Sequence, residues 1–293
     1  MKVIRNRNSL HQELDNLRKK TIDIGFVPTM GAIHEGHICL IQHSVKENNI
    51  TICSIYVNPK QFNDKQDLIN YPRDLTGDIR KLEQANCDIL FLPSDSEIYP
   101  NNFQDRDYNF TSVLNILEGQ RRKGHFKGVL NIVQILFELV QPTRAYFGEK
   151  DYQQLWIIMS FQKTYQLPLS IQPVQTIRDS DGLALSSRNK HLSEVQKKIA
   201  INLYRSLILF KDKVEQYCKE STSLFIEKNK LQEIRFNALK PILNNSSIKL
   251  DYFEIIEVEN FSFVTNLHCD KQYRVLIAAY LGKVRLIDNI SIN

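Results

Sequence analysis

Through its first 178 residues the chain alternates short apolar, β-branched runs with longer stretches whose apolar residues recur at helical spacing. The runs at 3–4, 22–27, 51–57, 88–92, 145–147 and 171–177 predict strands. Between them, Leu10, Leu14 and Leu17 line one helical face behind a cap at Ser9. Ile38, Leu40, Ile41 and Val45 line a second face, and Ile79, Leu82 and Ala85 a third. Residues 129–140 are apolar at helical spacing and stop before Pro142, and a further helix is expected over 152–165. Alternation of this kind predicts an α/β fold, a doubly wound parallel sheet whose ligands bind at the carboxyl ends of the strands.

The pattern changes near Ser180. Ser193 opens a long helix with Val195, Ile199, Leu203, Leu207 and Phe210 on one side, and a second helix is expected over 231–243, with Pro241 near its end. Strands follow at 250–258, 273–280 and 284–290, the last two joined by a hairpin at Leu281-Gly282-Lys283. The expected organisation is a domain over 1–178 and a smaller α+β domain over 179–293.

Composition changes this picture little. Of 293 residues 42% are hydrophobic and 24% charged, ordinary for a soluble globular protein, and the net charge of +5 suits anionic ligands without selecting one. The five cysteines, at 39, 53, 87, 218 and 269, contain no C-x-x-C pair. They read as free buried thiols of a reducing compartment, not as a zinc site or a disulfide framework. No apolar run is long enough for a signal peptide or a bilayer span, so a cytoplasmic protein with no membrane contact is expected.

The chemistry gathers where strands run into helices. In Val27-Pro28-Thr29-Met30-Gly31-Ala32-Ile33-His34-Glu35-Gly36-His37, Pro28 is expected to end the strand, and Gly31 and Gly36 permit a tight turn. The first amides of the following helix would then welcome a phosphate flanked by two imidazoles. The alternative is a plain strand–helix turn with two surface histidines. Gly148-Glu149-Lys150-Asp151-Tyr152-Gln153-Gln154 offers a glycine at a strand end, a point charge for phosphate, an acceptor for ribose and amides suited to a hydroxy acid. It reads equally as a charged turn with Asp151 capping the next helix. The stretch 178–189, Arg-Asp-Ser-Asp-Gly-Leu-Ala-Leu-Ser-Ser-Arg-Asn, suits a phosphate clamp or an interdomain linker. Residues 118–129, EGQRRKGHFKGV, suit an anion site, a nucleic-acid patch or a solvated basic loop.

Taken together, PTMGAIHEGH, SIYVNPKQF, YPRD, EGQRRKGHFKGV, AYFGEKDYQQ and DGLALSSRN occur in the order and at the spacing of one family. The chain resembles the pantoate–β-alanine ligases, and the histidine turn is similar to the HIGH-type signature of nucleotidyl transferases. The resemblance implies a Rossmann-like N-terminal domain of the HIGH superfamily with a C-terminal lid. It implies a ligase of pantothenate biosynthesis, on the route to coenzyme A. ATP, with Mg²⁺, would activate pantoate as an adenylate; β-alanine would then displace AMP, pyrophosphate having left in the first step. It carries ATP contacts onto Met30, Gly31, Ala32, Ile33, His34, Glu35, Gly36 and His37, onto Gly148, Glu149, Lys150 and Asp151, and onto Ile177, Leu185, Ser186, Ser187 and Arg188. His37, as proton donor, and His34, Lys150 and Arg188 would carry the chemistry; Gln61 and Gln154 would hold pantoate, Gln61 lying also near β-alanine, and Tyr71 would wall the pocket. No protein ligand to a metal is assigned. A homodimer is implied, with 51–57 or its neighbours as a contact. The chain departs from the family at Arg122-Lys123-Gly124-His125, where Arg-Pro-Gly-His is usual. Two rival readings are a nucleotidylyltransferase acting on a phosphorylated acceptor, which would want cations in place of Gln61 and Gln154, and an RNA-binding module using 121–127.

Overall fold

In the computed structural model, which describes residues 1–20 and 22–292, the chain divides into two units, Met1–Thr176 and Ile177–Asn293. The first unit runs through β1 (Lys2–Ile4), α1 (Arg7–Arg18), β2 (Ile24–Thr29), α2 (Glu35–Glu47), β3 (Ile50–Ile55), α3 (Lys65–Asn70), α4 (Leu75–Gln84) and β4 (Ile89–Phe91). It continues with α5 (Asp95–Ile98), α6 (Glu118–Arg121), α7 (His125–Val140), β5 (Arg144–Gly148), α8 (Tyr152–Thr164) and β6 (Ser170–Val174). The six strands form one parallel sheet in the order β1-β4-β3-β2-β5-β6. From β2 the chain steps to β3 and β4 on one side, then restarts beside β2 with β5 and β6 on the other. The switch point of this doubly wound sheet therefore lies between the carboxyl ends of β2 and β5. Val27, Ile41, Cys53, Leu82 and Leu90 are fully buried in one of its core layers.

Several expectations change. Pro28 does not end β2; it stays in the strand, opposite Ser54 of β3. Ile24 exchanges bonds with Thr143 on the β5 side, while Thr29 accepts from Tyr56 on the β3 side. Alternate residues thus place the nitrogen of Pro28 toward β5, where pairing has already ended at Phe26. The missing N–H costs no ladder bond. Asn6, not Ser9, caps α1: its side chain accepts from Ser9 N at 2.8 Å. α7 begins four residues before 129, at His125, because Gly124 takes a left-handed φ of 78° at the cap. The short α3 lies in what reads as loop and is capped by Asp64. β3 sits inside the sheet between β2 and β4, with Thr51, Ile52, Cys53 and Ser54 at 0% exposure.

The second unit contains α9 (Glu194–Glu220), β7 (Phe225–Ile226), α10 (Lys228–Leu243), β8 (Ile248–Glu257), β9 (Leu267–His268), β10 (Tyr273–Leu281) and β11 (Val284–Ile292). Ser193 caps α9 in a reciprocal box with Gln196. β10 pairs antiparallel with β8 on one side and β11 on the other, and Gly282 turns the hairpin at φ 62°. Leu207, Phe210, Phe253, Val275 and Ile277 pack this sheet against the helices. The cysteine expectation fails here. Cys218, at the end of α9, and Cys269, just past β9, form a disulfide across a Cα–Cα distance of 5.6 Å. Their separation of 51 residues gave no local sign of it; the β7–β9 ladder and the Cys269 N bond to Leu224 O bring the strands together. Cys39, Cys53 and Cys87 are free, Cys53 and Cys87 buried and Cys39 half-buried.

Candidate active site

The histidine turn joins β2 to α2. Gly31 and Ala32 both take left-handed backbone, φ 80° and 51°, which reverses the chain so that His34 arrives as the N-cap of α2. Gly36 lets the His34 ring fold back: a Cβ there would meet the ring at 2.9 Å. The turn's amides are largely consumed within the chain. Gly31 N donates to Thr29 Oγ1, Ala32 N and Ile33 N to Asp78, Gly36 N to His34 Nδ1 at 3.1 Å, and His34 N to His37 Nδ1 at 3.3 Å. The amides of Gly31, Ala32, Ile33, His34 and Gly36 are therefore not a free row of helix donors, as the sequence suggests. With each Nδ1 accepting from a backbone amide, both rings carry their proton on Nε2. The rings lie 4.1 Å apart between centroids.

Across the switch point, β5 ends at Gly148 and leads through a 3₁₀ turn at Glu149–Asp151 into α8. Gly148 has an ordinary φ of −75°, and a methyl group there would meet nothing within 4 Å. Neither backbone nor packing demands glycine at that strand end. Asp151 occupies the cap position of α8 but makes no side-chain cap bond, so the reading of Asp151 as a simple helix cap does not hold. Lys150 and Asp151 act on His37 from this side. Burial pulls the His37 pKa from 6.5 to about 3; the neighbouring His34, Lys150 and Lys81 push the same way, and Asp151 opposes them. His37 is thus a neutral hydrogen-bond donor near pH 7.

Gln61 is buried in the 3₁₀ turn that follows β3, and its surroundings fix its orientation. Asn58 Nδ2 donates to Gln61 Oε1 at 3.2 Å and to Gly128 O at 3.0 Å, while Asn58 Oδ1 accepts from Tyr99 Oη at 2.8 Å and Lys60 N at 3.2 Å. Gln61 therefore turns its Nε2 donor toward Met30, whose sulfur accepts from it. Gly128 is required here: a Cβ would strike Lys60 O at 2.3 Å and Gln61 N at 2.7 Å. The basic stretch 118–129 proves to be the bracket for this turn. His125 Nδ1 meets Gln61 O at 2.8 Å, and Arg122 reaches His125 Nε2 at 3.2 Å. One tautomer satisfies both contacts, with Nδ1–H donating to the carbonyl and Nε2 accepting from the guanidinium. Burial, and then Arg122, lower the His125 pKa to about 4. Lys127 pairs with Asp107, so this cation too has a partner within the chain. Tyr71 caps the end of α3 and packs edge-on against Phe62, 5.7 Å between centroids.

The two glutamines of α8 divide their work. Gln153 is buried and ties Glu118 N, Val113 O and Ile116 O together. Gln154 is half-buried, and its side chain makes no hydrogen bond among the described residues. A cavity of about 400 Å³ opens at the ends of β2, β3 and β4, lined by Met30, Tyr56, Arg73, Asp78, Leu92 and Asp95 among others. No group of three acidic, histidine or cysteine side chains suited to a metal ion occurs among the described residues.

Ile177 and Leu185–Arg188 belong to the second unit. Leu185 N donates to Ile177 O at 2.9 Å and Arg178 bridges Ala184, so the stretch is a pinned hairpin and not a linker. Arg178 is not available as a phosphate clamp: it forms a bidentate pair with Asp288 at 2.6 and 2.8 Å and lies over the Tyr204 ring at 3.7 Å. Ser186 caps the following turn through Arg188 N, at 3.3 Å.

Both depressed histidines bear on acid stability. The unfolded chain takes up protons from about pH 6.5 downward while His125 and His37 stay neutral in the fold to about 4 and 3, so stability falls as pH falls through this window. For the fully buried His125 the loss at pH 5 is on the order of 2 kcal/mol. The urea midpoint is expected to drop between pH 7.5 and 5, and less steeply in His125→Asn; an unchanged midpoint would contradict the assignment.

A family model for pantoate-beta-alanine ligases matches residues 2–291. A protein from Bacteroides thetaiotaomicron named pantothenate synthetase is 42% identical over 291 residues, covering 99% of this chain and 98% of its own. The crystal structure of the Thermus thermophilus enzyme is similar at a TM-score of 0.87 with 35% identity, covering 99% of both chains. That of the Francisella tularensis pantoate-beta-alanine ligase, complexed with beta-gamma ATP and beta-alanine, is similar at 0.75 with 35% identity, covering 99% of this chain and 97% of its own.

Proposed function

The chain belongs to the pantoate-beta-alanine ligase family, and from that premise we propose that its ATP-dependent condensation of pantoate with β-alanine runs through a pantoyl adenylate made at the histidine turn. It is a ligase of pantothenate biosynthesis. In the proposed first step a pantoate carboxylate oxygen bonds to the α-phosphorus of ATP, the α–β bridging bond breaks, and pyrophosphate leaves. In the second, the amine of β-alanine attacks the acyl carbon, sheds a proton, and AMP departs with the electron pair. Neither step needs a protein nucleophile; each needs alignment and relief of charge growing on phosphate oxygens.

The observation that carries this reading is the pair of imidazoles on the turn, each with its Nδ1 taken by a backbone amide, with the charges of Lys150 and Asp151 acting on His37 from across the switch point. His37 then serves as a hydrogen-bond donor to phosphate, and Lys150 as a fixed positive charge. Met30 through His37 and Gly148 through Asp151 hold ATP, the open side of Gly148 admitting the nucleotide close to the backbone. Ile177, Leu185, Ser186, Ser187 and Arg188 are assigned to ATP on the family resemblance. Gln61, with its donor turned toward Met30, and Gln154 hold pantoate; Gln61 also lies near the β-alanine position, and Tyr71 walls the pocket. Mg²⁺ is assigned to the ATP phosphates as part of the substrate. A homodimer and a cytoplasmic location complete the proposal. No described helix is long and apolar enough to cross a membrane.

Exchange of labelled pyrophosphate into ATP, with β-alanine withheld, tests the adenylate. Exchange that requires pantoate supports it; exchange with a phosphorylated acceptor instead would favour a nucleotidylyltransferase. Gln154→Ala is expected to raise the pantoate KM about 10- to 100-fold, the cost of one hydrogen bond to a charged ligand. Normal pantoate saturation in that variant would place the pocket elsewhere.

A further inference from the structure

The histidine turn is held from behind by one helix. Asp78 and Lys81 stand three residues apart on α4, on one face. Asp78 is 3% exposed and spends both carboxylate oxygens on the turn: Oδ2 accepts from Ala32 N at 2.8 Å and Oδ1 from Ile33 N at 2.7 Å. Lys81 donates to Ile33 O. The peptide groups on both sides of Ile33 are thus gripped, one by a carboxylate and one by an ammonium. The grip falls where the backbone most needs it. Ala32 holds φ 51°, a conformation that an L-residue with a Cβ adopts only when its surroundings enforce it. Two residues on is His34, whose arrival angle decides whether its Nδ1 reaches Gly36 N and whether its own amide reaches His37 Nδ1.

We infer that Asp78 and Lys81 are positioning residues for the ligase reaction: they set the Gly31–Ile33 backbone so that His34 and His37 both present Nε2–H to the α-phosphate region. This rests on the proposed role of the histidine turn in adenylate formation. Asp78 touches no reacting atom. Its two oxygens act through the turn, and an amide in its place cannot accept from both Ala32 N–H and Ile33 N–H, because its nitrogen is itself a donor. Asp78 also lines the cavity at the ends of β2 to β4.

The test uses the full chain with Asp78→Asn, Lys81→Met, Lys81→Arg and His37→Ala, read by pantoate-dependent pyrophosphate exchange and by nitrogen-15 shifts of the imidazoles. Asp78→Asn is expected to lower kcat about 100-fold with pantoate KM within about twofold of wild type, the signature of misplaced rather than missing groups. The His34 and His37 resonances should leave the pure Nε2–H pattern in the same variant. Lys81→Met should do likewise to a smaller degree, and Lys81→Arg should restore both readouts. If Asp78→Asn does not fold, the two Lys81 variants decide on the same readouts. Wild-type kcat and unchanged imidazole shifts in Asp78→Asn and Lys81→Met, beside an inactive His37→Ala, would overturn the positioning role alone. A fully active His37→Ala would overturn the reading of the turn itself.

Discussion

Replacing His37 with alanine should lower pantoate-dependent pyrophosphate exchange about 1,000-fold, the scale of losing a fixed donor to charge that develops in the transition state. Stability should change by only about 1 kcal/mol, since what the fold loses is half of a reciprocal helix cap. His37→Gln, which keeps an N–H donor, should recover part of the lost rate. The electrostatics of the site sharpen the expectation. With its pKa held to about 3, His37 carries no extra proton near neutrality, so the kcat/KM of the free enzyme should show no titration of this ring between pH 6 and 8. A rate that falls tenfold per pH unit over that range and loses this dependence in His37→Ala would instead assign the ring as an imidazolium acid.

Removing Asp288 should destabilise the second unit by about 3–5 kcal/mol, read as a large drop in urea midpoint. Asp288 is 4% exposed and takes both arms of Arg178. In Asp288→Ala the guanidinium remains against Tyr204 with, among the described residues, the carbonyls of Gly182 and Asn289 for partners. A half-buried cation stripped of its counterion accounts for most of the cost; the pair itself contributes little against an apolar substitute. Hence the double variant Arg178→Met, Asp288→Leu should recover much of the loss. Equal instability in the single and double variants would show that the segment, and not the stranded charge, is at fault. The same pair anchors the hairpin that carries Leu185 to Arg188, so the stability of that stretch is decided more than a hundred residues along the chain.

The strand–helix alternation was plain in the sequence because both periodicities are local, and the sheet, the switch point and the antiparallel second unit follow from it. The ends of elements were less plain. Pro28 reads as a terminator unless one knows that its nitrogen faces the side where β5 has stopped pairing. Ser9 and Asn6 are both good caps, and the side-chain bond chooses between them only in three dimensions. The motif residues His34, His37, Gln61, Lys150 and Gln154 were legible because each sits where a strand gives out. Their supports were not. Asp78 reaches the turn across 46 positions and His125 reaches Gln61 across 64, and nothing in the local pattern marks either. The run of cations at 121–127 suggested an anion surface, yet its histidine is buried and its neighbouring arginine serves that histidine. The disulfide was hidden for the same reason, since pairing of Cys218 with Cys269 depends on a two-residue ladder with no pattern of its own.

The helix cap that fixes the two imidazole tautomers has a bearing on ion selectivity. A neutral imidazole captures zinc, copper or nickel through the lone pair of its unprotonated nitrogen. In His34 and His37 that lone pair is turned onto a backbone amide, and the other nitrogen bears hydrogen. To seize a soft ion, either ring would have to break its cap and shift its proton. The cap therefore weighs against metal capture at this turn, and it does so through main-chain amides.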